Sequence, residues 1–145
     1  MGFVYMSAEA DYIKAERENI LHTAAMIKPL LSKRDLSEYE VIALGKLLQD
    51  VYSGIERILH SRLENKGVKV KKTESWHKDL LIAAKKDSVI SEEQFEAFKK
   101  LLLFRHMQIH GYGYMLDKQR LLELAGNVPS VCKNFLKGII EAEKK

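Results

Sequence analysis

A short run late in the chain, residues 104–114, combines a cation, two imidazoles and two phenols in the order FRHMQIHGYGY. Arginine offers a rigid fork of donors that suits a phosphate whose negative charge grows in a transition state. Histidine, with an unperturbed pKa of about 6.5, can take and give a proton at physiological pH. Arg105 and His110 together therefore suit cleavage of RNA by its own 2′-hydroxyl. Arg105 would bind the pentacovalent phosphorus centre, His110 would move protons, and no metal is required.

The spacing of these two residues restricts how they can meet. Arg105 falls on an apolar helical register that also contains Phe95, Phe98, Leu102 and Ile109. A charge in a core-facing stripe is costly unless it is paired or opens onto a polar cleft. On a continuous helix, positions five apart are offset by about 140°, so Arg105 and His110 would not share one face. We therefore expect them to meet where the helix ends at Gly111, or in a groove between two copies of the chain.

Other interpretations of the same residues stay open at this point. From spacing alone, the arginine can be a surface ion-pair partner and the histidine a capping or core residue. His106 and His110 are spaced i, i+4, as in zinc-binding helices, but Met107 stands where the HExxH pattern has glutamate. We therefore expect no metal site. The single cysteine, Cys132, excludes an internal disulfide and a cysteine-based zinc site, and its apolar surroundings predict a buried thiol.

One acidic residue stands out in the second predicted helix. Glu56 lies four residues after Tyr52 and four before His60, along one side of that helix. It is a candidate to pair with Arg105 and hold its guanidinium, although a surface Glu–Arg pair fits the pattern equally well. His60 and His77 are predicted to be surface or packing residues.

Helical spacing of apolar residues runs through nearly the whole chain and predicts an all-α fold. Short loops between amphipathic helices favour an up-and-down bundle of four or five helices. We expect a single domain over residues 7–143, after a short tail at residues 1–6. The predicted helices run from about Ala8 to Leu31, from Ser37 to a stop at Gly67, from Trp76 to about Lys86, from Ser91 to about His110, and from Lys118 to Glu143. Ser7 and Ser75 are the predicted caps of the first and third helices, and Ser37–Glu40 and Ser91–Gln94 are predicted capping boxes. Pro29 should weaken the end of the first helix, and Gly126 and Pro129 should bend or split the last.

Composition sets looser limits on partners and location. The formal charge of +4 and the pI of about 9.1 permit an anionic partner such as RNA but do not require one. No apolar run approaches the roughly 18 residues that a membrane span needs. The start of the chain carries no pattern of a signal peptide. We therefore expect a cytoplasmic protein without a membrane segment.

The pattern Arg105-x4-His110-x-Tyr112 resembles the signature of HEPN-family ribonucleases, and of HepT-like toxins in particular. His106 fits the polar residue that often follows the arginine in that family. The segment 52–59, YSGIERIL, is similar to the second-helix region of the cyanobacterial-type members. The helical bundle, its length and the late position of the motif agree with the same family.

The resemblance implies several properties that spacing alone does not give. It implies a HEPN-like fold and a metal-independent endoribonuclease without a cofactor, whose site forms across a homodimer from the arginine and histidine of both subunits. It also implies the toxin role in a type VII toxin–antitoxin pair. The partner would be an MntA-like minimal nucleotidyltransferase that silences the toxin by adding AMP to Tyr112, with Tyr114 as another possible acceptor. The alternative is a non-catalytic helical HEPN module that binds nucleotide or recruits the nucleotidyltransferase.

Overall fold

The computed structural model describes residues 2–110 and 118–143, with side chains from residue 9 onward. The described part contains five α-helices and no strand. The helices are α1 Gly2–Leu31, α2 Glu38–Asn65, α3 Trp76–Lys86, α4 Glu92–Ile109 and α5 Lys118–Glu143. The predicted all-α bundle is confirmed. None of the described helices combines the length and the apolar character that crossing a membrane requires.

The start and end signals in the sequence explain most of these bounds. Ser37 and Ser91 each accept a hydrogen bond from the backbone of the residue three positions later, and each capping box is complete. Gly67, with a φ of 80°, follows the last turn of α2, where a side chain would be strained. Both predicted capping boxes and the glycine stop are therefore confirmed.

Three local expectations differ from the structure. α1 begins at Gly2 rather than near Ala8, so Ser7 lies inside the helix and is not its cap. Ser75 precedes α3 but makes no capping hydrogen bond, because its hydroxyl instead donates to the Asp79 carboxylate at 2.8 Å. α5 is one helix through Pro129, so the predicted split does not occur, while the predicted bend stays a prediction. The proline's missing donor is tolerated there because the packed face of the helix holds both halves.

α2 is the central element, and it contacts each of the other four helices. Glu16 of α1 pairs with Arg57 of α2 at 2.8 Å, while a Cβ on Gly45, early in α2, would meet Gln108 at the end of α4. These contacts make α1 and α4 antiparallel to α2.

α5 runs parallel to α2, since Lys118 at its start bonds the carbonyl of Leu36 at 3.1 Å and Glu143 at its end pairs with Arg62 at 3.3 Å. The result is the up-and-down arrangement that the short connections predicted.

The core is apolar and continuous around α2. Apolar residues at helical spacing along α1 and α2 are buried; these are Ile13, Ile20, Ala24, Ile27, Leu44, Leu48, Val51, Ile55 and Ile58. Phe98 of α4 meets Phe135 of α5 edge to face, with ring centroids 5.3 Å apart. Cys132 is buried in this core, as predicted.

The buried face of α4 differs from the predicted register. Phe98, Leu101 and Phe104 are its buried residues, while Leu102 and Arg105 are only partly buried and Ile109 is exposed. The predicted stripe was wrong by about one position, because Leu101 and Phe104, rather than Leu102 and Arg105, are the residues buried in the core. Arg105 therefore lies at the border between core and surface, where a long cationic side chain can keep its head at a polar cleft.

Candidate active site

Arg105 is positioned by the last two turns of α4, which hold its side chain against the middle of α2. Its Nε atom is buried and has no hydrogen-bond partner among the residues that the structure describes. A buried polar donor of this kind usually has a partner in a folded protein. The guanidinium is thus held in place by packing, with no acceptor at Nε in the described part of the chain.

Arg105 opens onto a polar cleft of about 420 Å³ that follows the outer face of α2. We call it the Arg105 cleft. Its walls come from α1, α2, the start of α3 and α4, and its lining residues are Tyr12, Ser53, Glu56, Arg57, His60, Ser61, Glu64, Lys72, Trp76 and Arg105. The predicted location of Arg105 at a polar cleft agrees with this geometry. Glu56, the predicted supporting residue, lies in the same cleft.

Glu56 is buried, and its partner is not the predicted one. Its Oε2 lies 2.7 Å from Nδ1 of His77, at the start of α3. The described contacts include no ion pair between Glu56 and Arg105. The two side chains nevertheless line the same cleft, and both act on the Tyr52 hydroxyl. Burial raises the pKa of Tyr52 above its ordinary value, the Glu56 carboxylate adds to the rise, and the Arg105 guanidinium opposes it.

Cations and an aromatic ring complete the cleft wall. Lys72 lies over the ring of Trp76, with its Nζ 5.7 Å from the ring centroid, and Arg57 is held by Glu16 at 2.8 Å. His60 and His77 both contact the Trp76 ring, at centroid distances of 5.9 Å and 4.9 Å. The lining carboxylates Glu56 and Glu64 equal Arg105 and Lys72 in number, and Arg57 is already paired with Glu16. The Nε of Arg105, for which no described residue is an acceptor, is therefore the group of the cleft that can bind an anion, and the aromatic ring offers a surface for a base.

His110 lies elsewhere on the same chain. α4 remains helical to Ile109, and the backbone N–H of His110 still donates to the His106 carbonyl at 3.1 Å. The helical offset of about 140° between Arg105 and His110 is therefore kept. His110 is exposed, its ring is 4.3 Å from that of His106 between centroids, and it is not among the lining residues of the Arg105 cleft. One chain does not bring Arg105 and His110 into one cleft within the described residues.

The remaining predicted site residues fall into two groups. His106 is exposed and contacts His110, and no cluster of three or more potential metal ligands occurs among residues that are described. Tyr112 and Tyr114 lie outside the described residues. Their role as AMP acceptors stays a prediction.

Sequence reasoning missed the part that His77 and Trp76 play in this cleft. The available signal was Glu56 itself, which stands among the buried α2 residues Tyr52, Ile55 and Leu59. A carboxylate in such a stripe needs a polar partner. The pattern of one helix cannot say which neighbouring helix supplies that partner. His77 follows a ten-residue connector at residues 66–75, whose path the sequence does not predict.

The described residues thus define an all-helical bundle with an arginine-lined polar cleft. A family model described as HepT-like protein matches residues 43–143, so the chain belongs to the HepT-like family. The match includes α4 with Arg105 and His110 and most of α2. It confirms the resemblance based on the Arg105–Tyr112 pattern. The cyanobacterial subtype and the nucleotidyltransferase partner stay predictions.

A solved structure supports the same fold. The cytosolic protein of unknown function YutE from Bacillus subtilis matches with a TM-score of 0.76, over 92% of this chain and 89% of that one. The two sequences are 18% identical over the match, so this likeness concerns the fold alone. No curated protein gives a match.

Proposed function

We propose that this chain is a metal-independent endoribonuclease and the toxin of a type VII toxin–antitoxin pair. The observation that carries the proposal is the Arg105 guanidinium, which lies at a polar cleft with a buried Nε that no described residue accepts from. A buried, unpaired cationic donor is costly, and an anionic ligand would offset that cost. In a HepT-like protein, the phosphodiester of RNA is the anion that best fits this position.

The chemistry follows from the two residue types. The 2′-oxygen of the RNA attacks the adjacent phosphorus, the bond to the 5′-oxygen breaks, and a 2′,3′-cyclic phosphate remains. Arg105 would stabilise the charge on the phosphoryl oxygens, and His110 would carry a proton. His106, stacked beside His110, would support the orientation of that imidazole.

A homodimer would bring the two residues together. His110 and His106 share an exposed face of α4 with Leu103, whose side chain is 61% exposed. A large apolar residue on that face favours contact with a second copy. We propose that this face approaches the Arg105 cleft of the partner, so that each site combines Arg105 of one subunit with His110 of the other.

The proposed regulation acts through Tyr112, two residues beyond His110 in sequence. An MntA-like nucleotidyltransferase would transfer an adenylyl group from ATP to the phenol oxygen, which loses its proton, while pyrophosphate leaves. The added phosphate would compete for Arg105 and repel the RNA backbone. Intact-mass measurement after co-expression with such an enzyme should show a gain in multiples of one adenylyl group, and Tyr112→Phe should prevent that gain.

Cleavage of a labelled RNA in the presence of EDTA tests the proposed activity. The wild type should release products with cyclic phosphate ends, and Arg105→Ala and His110→Ala should each reduce the rate by at least about 100-fold. His22→Ala is the matched control, because His22 is an exposed histidine on α1 that does not line the Arg105 cleft. Equal rates for His110→Ala and His22→Ala would remove His110 from the mechanism.

The non-catalytic HEPN module is the second candidate. The observation in its favour is that Arg105 and His110 do not line one cleft within a single chain. A dimer that binds a nucleotide or the nucleotidyltransferase, yet leaves RNA uncut in EDTA and in added metal, would support this role. It would also contradict the ribonuclease proposal.

A further inference from the structure

We propose that His77, oriented by Glu56, is a second proton-transfer residue of the reaction at Arg105. This inference rests on the proposed ribonuclease function. It adds a residue outside the Arg105–Tyr112 pattern, on a different helix. The role is acceptance of the proton from the attacking 2′-hydroxyl.

The contact between Glu56 and His77 determines which nitrogen of the imidazole carries the hydrogen that faces the carboxylate. The carboxylate is buried and lies 2.7 Å from Nδ1, so Nδ1–H donates to it. A neutral ring that donates from Nδ1 has its lone pair on Nε2. No described residue forms a hydrogen bond with Nε2. A base oriented by a third group, with its other nitrogen available, is the arrangement that proton abstraction requires.

His77 contacts two residues that line the proposed phosphate site. Glu56 and Trp76 both line the Arg105 cleft, and both contact His77. His77 is not itself a lining residue, but its imidazole is adjacent to this part of the cleft wall and 38% of its side chain is exposed. The proposed role requires a substrate whose phosphate contacts Arg105 to extend past Trp76 to the imidazole.

The reaction requires two proton transfers, and a separate residue can carry out each of them. The 2′-hydroxyl must lose a proton as its oxygen attacks phosphorus, and the 5′-oxygen must gain one as its bond to phosphorus breaks. We assign the first proton to Nε2 of His77 and the second to protonated His110. The products are a 2′,3′-cyclic phosphate and a 5′-hydroxyl. One proton is taken up and one is released, so the step balances without a metal or a redox partner.

His60 is a nearby histidine whose replacement can be compared with that of His77. It contacts the same Trp76 ring and is exposed to a similar degree, at 42% of its side chain. Its Nδ1 lies 3.9 Å from the exposed Glu64, beyond hydrogen-bond distance. Its ring is therefore not oriented by a buried carboxylate.

The test uses the full chain and two ribodinucleotide substrates in EDTA. One substrate has the natural 5′-oxygen, and the other has sulfur at that bridging position, which leaves as a thiolate and needs no proton. His77→Gln retains an amide donor for Glu56 and serves beside His77→Ala, with thermal unfolding to verify the fold of each. His77→Gly is assayed with and without added imidazole. His60→Ala is the comparison variant.

We expect both His77→Ala and His77→Gln to be at least about 100-fold slower than wild type on both substrates, because the base acts before the leaving group departs. His110→Ala should recover on the sulfur substrate, and imidazole should restore at least a tenth of the lost rate of His77→Gly. His60→Ala, which removes a residue of the cleft wall, should lose less than the His77 variants, and His22→Ala, outside the cleft, should keep the wild-type rate. Folded His77 variants that cleave within threefold of wild type, that recover on the sulfur substrate, or that gain nothing from imidazole would overturn the assignment while leaving the ribonuclease proposal intact. A wild type that cleaves neither substrate would overturn both.

Discussion

Glu56 and His77 join the middle of α2 to the first turn of α3 through one short contact, 2.7 Å between Oε2 and Nδ1. The contact holds His77 against Trp76, whose ring forms part of the Arg105 cleft. Because Glu56 is buried, its carboxylate depends on this partner for much of its hydrogen bonding. The pair is therefore a structural element of the bundle as well as the proposed source of an oriented base.

Replacement of Glu56 should reveal the structural part of this contact. Glu56→Ala removes the acceptor of the imidazole and should lower the free energy of unfolding by about 1–3 kcal/mol. Glu56→Gln keeps an acceptor oxygen and should lose less. Urea unfolding measures the loss of stability for both variants. Glu64→Ala is the control, because Glu64 is exposed and its carboxylate lies 3.9 Å from His60, beyond hydrogen-bond distance. An equal loss of unfolding free energy for the Glu56 and Glu64 variants would show that the buried contact stabilises the fold no more than an exposed carboxylate does.

Gly54 allows α1 to approach α2 closely. A Cβ at this position would lie 2.7 Å from Cγ1 of the buried Ile20, which is too near for real contacts. We expect Gly54→Ala to lower the free energy of unfolding by about 1–3 kcal/mol, because the two helices must separate or Ile20 must leave its rotamer. Gly138→Ala, also within a helix but facing open space, should raise it by about 0.5–1 kcal/mol. Thermal unfolding of both variants checks the opposite signs, and a stabilising Gly54→Ala would contradict the close packing.

The three serines before helices offer a matched series. Ser37 and Ser91 form complete capping boxes, whereas Ser75 caps nothing. Ser37→Ala and Ser91→Ala should each cost about 1 kcal/mol of unfolding free energy, and Ser75→Ala should cost less than half of that. Chemical denaturation followed by circular dichroism gives the three values. The reverse ranking would mean that the hydrogen bonds at the first turns do not set helix stability here.

The buried thiol makes stability depend on alkaline pH. Burial raises the pKa of Cys132 to about 12, from an ordinary value of 9.0. Above pH 9 the unfolded chain therefore loses a proton that the folded chain retains, and stability falls as pH rises towards 12. The contribution to the slope is at most about 1.4 kcal/mol per pH unit. Urea unfolding of wild type and Cys132→Ala at pH 8 and pH 10 isolates this contribution as the difference between their changes in unfolding free energy. An equal change for both proteins would contradict the burial of the thiol.

Local signals in the sequence were sufficient to predict most of the bundle. The capping boxes at Ser37 and Ser91 and the stop at Gly67 depend on bonds within a few residues, and the structure has all three. The start of α1 could not be predicted in the same way. Ser7 fits a cap by residue type, but a serine can also lie inside a helix, as it does here.

The candidate site was predictable only in part, because its residues come from different helices. Arg105 was recognisable as a charge on an apolar register and Glu56 as its candidate partner on another helix, and the two do share a cleft. The partner of Glu56 depends on how α3 packs against α2, and His77 was therefore assigned to surface or packing. The one-position error in the α4 stripe has a similar cause. Leu101 and Leu102 are both apolar, and only the approach of α2 and α5 decides which one is buried.

The central claim is that Arg105 of one subunit and His110 of another act on the same phosphodiester. Mixed dimers of Arg105→Ala and His110→Ala chains test it most directly, since each variant alone should be inactive. If the site forms across subunits, one of the two sites in a mixed dimer retains both wild-type residues. We predict that metal-free RNA cleavage returns when the two inactive chains are refolded together and mixed dimers are verified by native mass spectrometry. Verified mixed dimers with no cleavage above that of the single variants would contradict the account.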